Sequence, residues 1–92
     1  MKKTLDIFII YRLMPFTNKK GKLQQTIKAK TISTDQVLYL TLFDDKISLL
    51  NSLGLNNSLR MEVAERKVFD KNNTESIYYN VTGIQPLLGM MN

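Results

Sequence analysis

The stretch from Val37 to Leu53 most narrows what this chain can fold into, because the spacing of its apolar residues changes there. Leu38, Leu40 and Leu42 alternate with Val37, Tyr39, Thr41 and Phe43. That is the two-residue period of a half-buried strand, with the leucines inward and two aromatics on the opposite face. Asp44 and Asp45 follow, and then Ile47, Leu49, Leu50 and Leu53, which share one stripe only at the helical period. An aspartate suits a helix start because its carboxylate can accept the free first-turn amides, and Gly54 suits the end. One short helix, about Asp45 to Leu53, therefore interrupts an otherwise β-patterned chain.

The remaining segments read as strands and turns. Leu5 to Met14 is rich in β-branched and aromatic residues, and Pro15 limits it. Tyr11 shares a strand face with Ile7 and Ile9 and is assigned to the core. Thr17 to Lys22 is a turn, in which Gly21 tolerates positive φ and Asn18 can close the loop with its side chain. In the second strand, Leu23 to Ile32, Leu23, Gln25, Ile27 and Ala29 take one face, and Thr26, Lys28 and Lys30 the other. Ser33 to Gln36 turns the chain into the third strand. After the helix, Leu59, Met61 and Val63 face inward and Arg60, Glu62 and Ala64 outward, with Arg66 to Phe69 running past the rim. Asp70 to Thr74 is a polar hairpin turn. The fifth strand, Ser76 to Ile84, places one of Tyr78 and Tyr79 in the core, and alternation alone leaves open which. Pro86 ends it.

Three strands, a short helix and two strands is the order of the OB-fold, a five-stranded Greek-key barrel. The expected class is all-β with one helix between the third and fourth strands. Residues 1–86 form the domain and 87–92 a short tail. The ligand surface of such a barrel lies on its second and third strands and the loops after its first and fourth.

Composition removes several chemistries. The chain has no cysteine and no histidine, so disulfides, thiol nucleophiles, nearly all zinc sites and the commonest general base drop out. Asp44 and Asp45 are accounted for by the helix start, and Glu62 and Glu65 have no catalytic companion. The expectation is a protein that is not an enzyme and needs no cofactor or metal. Lack of cysteine fits the cytoplasm. The basic start, Lys2 and Lys3, leads into an apolar run of only Ile7 to Ile10, read as a strand and not as a signal peptide. No run approaches the roughly 20 residues of a membrane helix, so no membrane partner is expected.

Charge points to a polyanion. Lysine and arginine number 13 against 8 acids, and no acid occurs between Ile7 and Thr34, a stretch holding Arg12, Lys19, Lys20, Lys22, Lys28 and Lys30. Single-stranded nucleic acid offers phosphates to cations and base faces to flat rings. The phosphate candidates are Lys19, Lys20, Lys22, Lys28, Lys30, Arg60, Arg66 and Lys67, and the stacking candidates are Tyr39, Phe43 and Phe69. Lys28 and Lys30 share a face that adjoins Tyr39, which is the strongest local constellation. The same barrel as an RNA-binding or protein-interaction module of a larger assembly is the competing reading.

From Leu38 to Leu88 the chain resembles the single-stranded DNA-binding protein family of bacteria and phages. The likeness runs through Leu40-Thr41-Leu42-Phe43 before an acidic helix start, Leu59-Arg60-Met61-Glu62-Val63, the basic-aromatic stretch Glu65 to Asn73, and Tyr78-Tyr79-Asn80-Val81. The resemblance implies an OB-fold homo-oligomer, dimer or tetramer, that binds single-stranded DNA in replication or recombination. Two departures stand out. The family often stacks bases on tryptophan, and this chain has none, so Phe43 and Phe69 would serve with tyrosines. Bacterial members carry an acidic C-terminal tip, whereas no acid follows Glu75 here, which suits a phage or mobile-element version.

Overall fold

The computed structural model describes residues 2–53 and 57–87. Its elements are β1 (Lys2–Arg12), β2 (Phe16–Thr17), β3 (Leu23–Thr31), β4 (Val37–Phe43), α1 (Asp45–Ser52), β5 (Ser58–Phe69) and β6 (Glu75–Pro86). The expected helix end at Gly54 and the tail from Leu88 onward lie outside the described residues.

Five long strands close into a barrel because β1 serves two neighbours. Its first part pairs antiparallel with β5, from Lys2 opposite Ala64 to Phe8 opposite Ser58. Its second part pairs with β3, from Ile7 opposite Thr31 to Arg12 opposite Ile27. The circuit is completed by β3 with β4, β4 with β6 in parallel, and β6 with β5. Closure removes the exposed edges that five strands would otherwise present. The two-residue β2 adds a short rung to β3, Phe16 opposite Gln24.

The core follows the two-residue period. Ile7 and Ile9 from β1, Ile27 and Ala29 from β3, Leu38, Leu40 and Leu42 from β4, and Leu59, Met61 and Val63 from β5 are buried together. Ile47 and Leu50 of α1 join them, while Leu49 stays on the outside. Tyr79 packs against this cluster and Tyr78 is exposed, which answers the question that alternation left open. Truncating a fully buried member such as Leu40 to alanine would cost about 2–5 kcal/mol.

Three local readings change. Leu23, expected inward, is exposed at the base of the β2–β3 hairpin. Tyr11, expected in the core, is 42% exposed. A bulge in β1 causes this: Ile9 pairs with Ala29 and Tyr11 with Lys28, so Ile10 is the extra residue and the alternation flips. Asp44 occupies the helix N-cap, but its carboxylate does not cap. It accepts the Leu23 N–H at 3.0 Å, while the Asp44 N–H donates back to the Leu23 carbonyl at 2.9 Å. The first-turn amides of Ile47 and Ser48 find the Asp44 backbone carbonyl instead.

Among the described residues, no helix is long and apolar enough to cross a membrane.

Candidate nucleic-acid interface

The outer face of β3 and β4 carries the side chains that alternate with the core. In β3 these are Gln24, Thr26, Lys28 and Lys30, and in β4 Val37, Tyr39 and Phe43, with Thr41 on the same side of the strand but buried. The register sets them in rows: Lys30 beside Val37, Lys28 beside Tyr39, Thr26 beside Thr41, and Gln24 beside Phe43.

One end of this face is framed by a rigid hairpin. Asn18 closes it as expected, its carboxamide oxygen accepting the N–H groups of Lys20 at 2.9 Å and Lys22 at 3.1 Å. Gly21 takes φ +81° there, with open space where a Cβ would stand. The Asn18 amide also donates to the Gln24 side chain at 3.2 Å, tying the loop to the sheet face. Beneath the hairpin lies an open groove of about 380 Å³ lined by Asn18, Lys19, Lys20, Lys22, Gln24, Phe43 and Arg66.

The groove's far wall is the arm formed where β5 and β6 outrun the barrel. Asp70 holds its turn, accepting the N–H groups of Asn72 and Thr74 at 2.8 and 2.9 Å. Arg66 pairs with Tyr78 across the arm, with its guanidinium carbon 5.4 Å from the ring centre. Lys67 and Phe69 alternate onto the opposite face of the arm. Lys67 faces Glu75 there at 3.9 Å, and Phe69 is solvent-exposed.

Cations divide by location. On the β1–β5 side they are matched: Lys2 with Glu62, Lys3 with Glu65, and Arg60 with Asp6. The Arg60 guanidinium donates twice to the Asp6 carboxylate, at 2.7 and 3.2 Å, which lowers the Asp6 pKa and raises that of Arg60. The hydrogen bond from Lys3 to Glu65 raises the Lys3 pKa. The Thr82 hydroxyl, and then the charge of Lys2, lowers that of Glu62. On the groove side, Lys19, Lys20, Lys22, Lys28 and Arg66 have no carboxylate oxygen within 4.0 Å among the described residues. Lys30 is the exception, with Asp35 at 3.7 Å.

The structure therefore brings Lys19, Lys20, Lys22, Phe43 and Arg66 into one groove and sets Lys28 and Tyr39 on the adjoining face. Arg60 stands elsewhere, on the β1–β5 side and engaged by Asp6. Arg12, counted in the basic stretch, instead donates to Gln25 at 3.0 Å and reaches Asn51 of α1, bracing the barrel. Sequence reading missed Asn18, Gln24, Tyr11 and Tyr78 as members of this surface. Alternation would have offered Gln24, whereas only the bulge reveals Tyr11.

A closed five-stranded Greek-key barrel with a helix between its third and fourth long strands is an OB-fold, as the element order implied. Among solved structures, the chain is similar to the mitochondrial single-stranded DNA-binding protein Rim1 of S. cerevisiae, with a TM-score of 0.77 and 9% identity over 95% of each chain. No family model and no curated protein matches the sequence.

Proposed function

We propose that this protein binds single-stranded DNA on the outer face of β3 and β4, between the β2–β3 hairpin and the β5–β6 arm. The observation that carries the reading is the division of charge. A lysine already matched to a carboxylate gains little from a phosphate, whereas an unmatched one gains a charge-assisted contact and releases counterions. Four cations unmatched among the described residues, Lys19, Lys20, Lys22 and Arg66, line one groove with Phe43, and a ring beside cations is the equipment single strands require. The yeast barrel of the same fold is itself a single-stranded DNA-binding protein.

On this reading the protein coats exposed strands during replication or recombination, as a homo-oligomer in the cytoplasm of a bacterial cell, in the manner of the bacterial and phage family its sequence resembles. It acts by binding and performs no chemistry on the strand.

Charge reversal tests it. Lys19, Lys20 and Lys22 changed together to glutamate should abolish oligonucleotide binding while the melting curve is retained. Lys2 and Lys3 changed to glutamate should leave binding nearly intact. Equal binding by both variants would refute the site. Competition between DNA and RNA oligomers of one length then establishes the sugar preference.

A further inference from the structure

The row that crosses the barrel at Lys28 reaches well beyond the groove. Tyr11 of β1 stands opposite Lys28, and Lys28 opposite Tyr39. β4 and β6 run parallel with Leu40 against Tyr79, so one step earlier on both strands stand Tyr39 and Tyr78. Tyr78 in turn pairs with Arg66 of β5. Across β1, β3, β4, β6 and β5 the side chains read Tyr11, Lys28, Tyr39, Tyr78, Arg66. The three rings are 42%, 48% and 39% exposed. Four strand spacings of about 4.8 Å make the row about 19 Å long, enough for several nucleotides.

The two flanking rings are occupied. The Lys28 ammonium lies 5.6 Å from the centre of Tyr11, and the Arg66 guanidinium 5.4 Å from that of Tyr78. Neither cation has a carboxylate partner among the described residues. A cation over an exposed ring is held weakly. A phosphate offers that cation a stronger partner, and a base offers the vacated ring a stacking face.

We infer that Tyr11 and Tyr78 are stacking platforms for single-stranded DNA, each covered in the free protein by the cation that becomes its phosphate partner on binding. This rests on the reading given under Proposed function. The strand then crosses the barrel along the row, and binding is an exchange: the cation moves from ring to phosphate as a base takes its place. Tyr11 takes part only because the bulge at Ile10 turns it outward.

The chain holds four tyrosines and no tryptophan, so its intrinsic emission reports these rings directly. Unlabelled oligothymidine is titrated into the wild type, Tyr11→Leu, Tyr78→Leu, Tyr11→Phe and Phe43→Ala, following tyrosine fluorescence and, in parallel, competition with a labelled oligomer. The expected result is quenching in the wild type and affinity about tenfold lower in each leucine variant. Tyr11→Phe should keep the affinity but lose part of the quenching. Leucine variants that bind like the wild type, with Phe43→Ala alone impaired, would overturn the row while leaving the groove intact. A wild type that binds no oligomer would overturn the parent reading as well. Should a leucine variant fail to fold, the quenching amplitude of Tyr11→Phe decides, since an unchanged amplitude excludes Tyr11 from the contact.

Discussion

Lys28 of β3 and Tyr39 of β4 are direct cross-strand partners on the outer face of the barrel, and the Lys28 ammonium lies over the ring of its other neighbour, Tyr11 of β1. The sheet fixes these backbone positions, so only side-chain ordering remains when a ligand arrives.

On the proposed mode of binding, Lys28→Gln removes one phosphate contact, and Lys28 lies outside the core. Affinity for oligomers of different sequence should fall by a similar factor, and the slope of log affinity against log salt should lose about one unit or slightly less. Titrations at four salt concentrations check it.

Phe43→Ala removes a ring and no charge. Affinity should drop by about 1–3 kcal/mol, while the salt slope stays that of the wild type. A changed slope would mean that the substitution had moved the neighbouring lysines.

Most of the barrel was legible from residue type and period. The leucines of β4 and the inward residues of β5 lie where two-residue alternation puts them, because a closed barrel must bury that face of every strand. Tyr11 shows the limit of such reasoning. A bulge is set by how β1 bends between two partners, a long-range property that the local run from Ile7 to Arg12 does not encode. Asp44 shows another. Its residue type announced a cap, but the proximity of Leu23, 21 positions away, recruited the carboxylate. For the site, the lysine-rich turn and Phe43 were visible as types, whereas the ion pairing that sets Arg60 apart from Lys28 depends on which strands become neighbours.

Asp44 fastens the start of β3 to the start of α1 and does so at φ +43° and ψ −110°, a backbone conformation that L-residues rarely adopt. Asp44→Ala should cost about 1 kcal/mol through the lost hydrogen bond to the Leu23 N–H. Asp44→Asn retains an acceptor and should cost clearly less. Urea denaturation midpoints distinguish the two.

Acid should weaken the fold. Asp6 and Glu62 have their pKa values lowered in the folded state, Asp6 by Arg60 and Glu62 by Thr82 and Lys2. The folded chain therefore binds protons less readily than the unfolded one. The resulting stability is fully present above the ordinary carboxyl range, about pH 4, and is lost as the pH falls through the lowered values. Both groups face solvent, so the effect is small. The denaturation midpoint should decline as the pH falls below about 4 in the wild type, and the decline should be shallower in Asp6→Asn.

The most direct test of the central claim is the affinity of the wild-type chain for a labelled oligothymidine and for a duplex of equal length, measured from low to high salt. Five groove-side cations unmatched among the described residues (Lys19, Lys20, Lys22, Lys28 and Arg66) imply a log–log slope of about −3 to −4 on single strands, or roughly a hundredfold loss between 50 and 200 mM salt, at about −0.7 per phosphate. Binding of single strands in this groove should give that slope together with a clear preference for the single strand. Equal affinity for the duplex, or binding indifferent to salt, would contradict it.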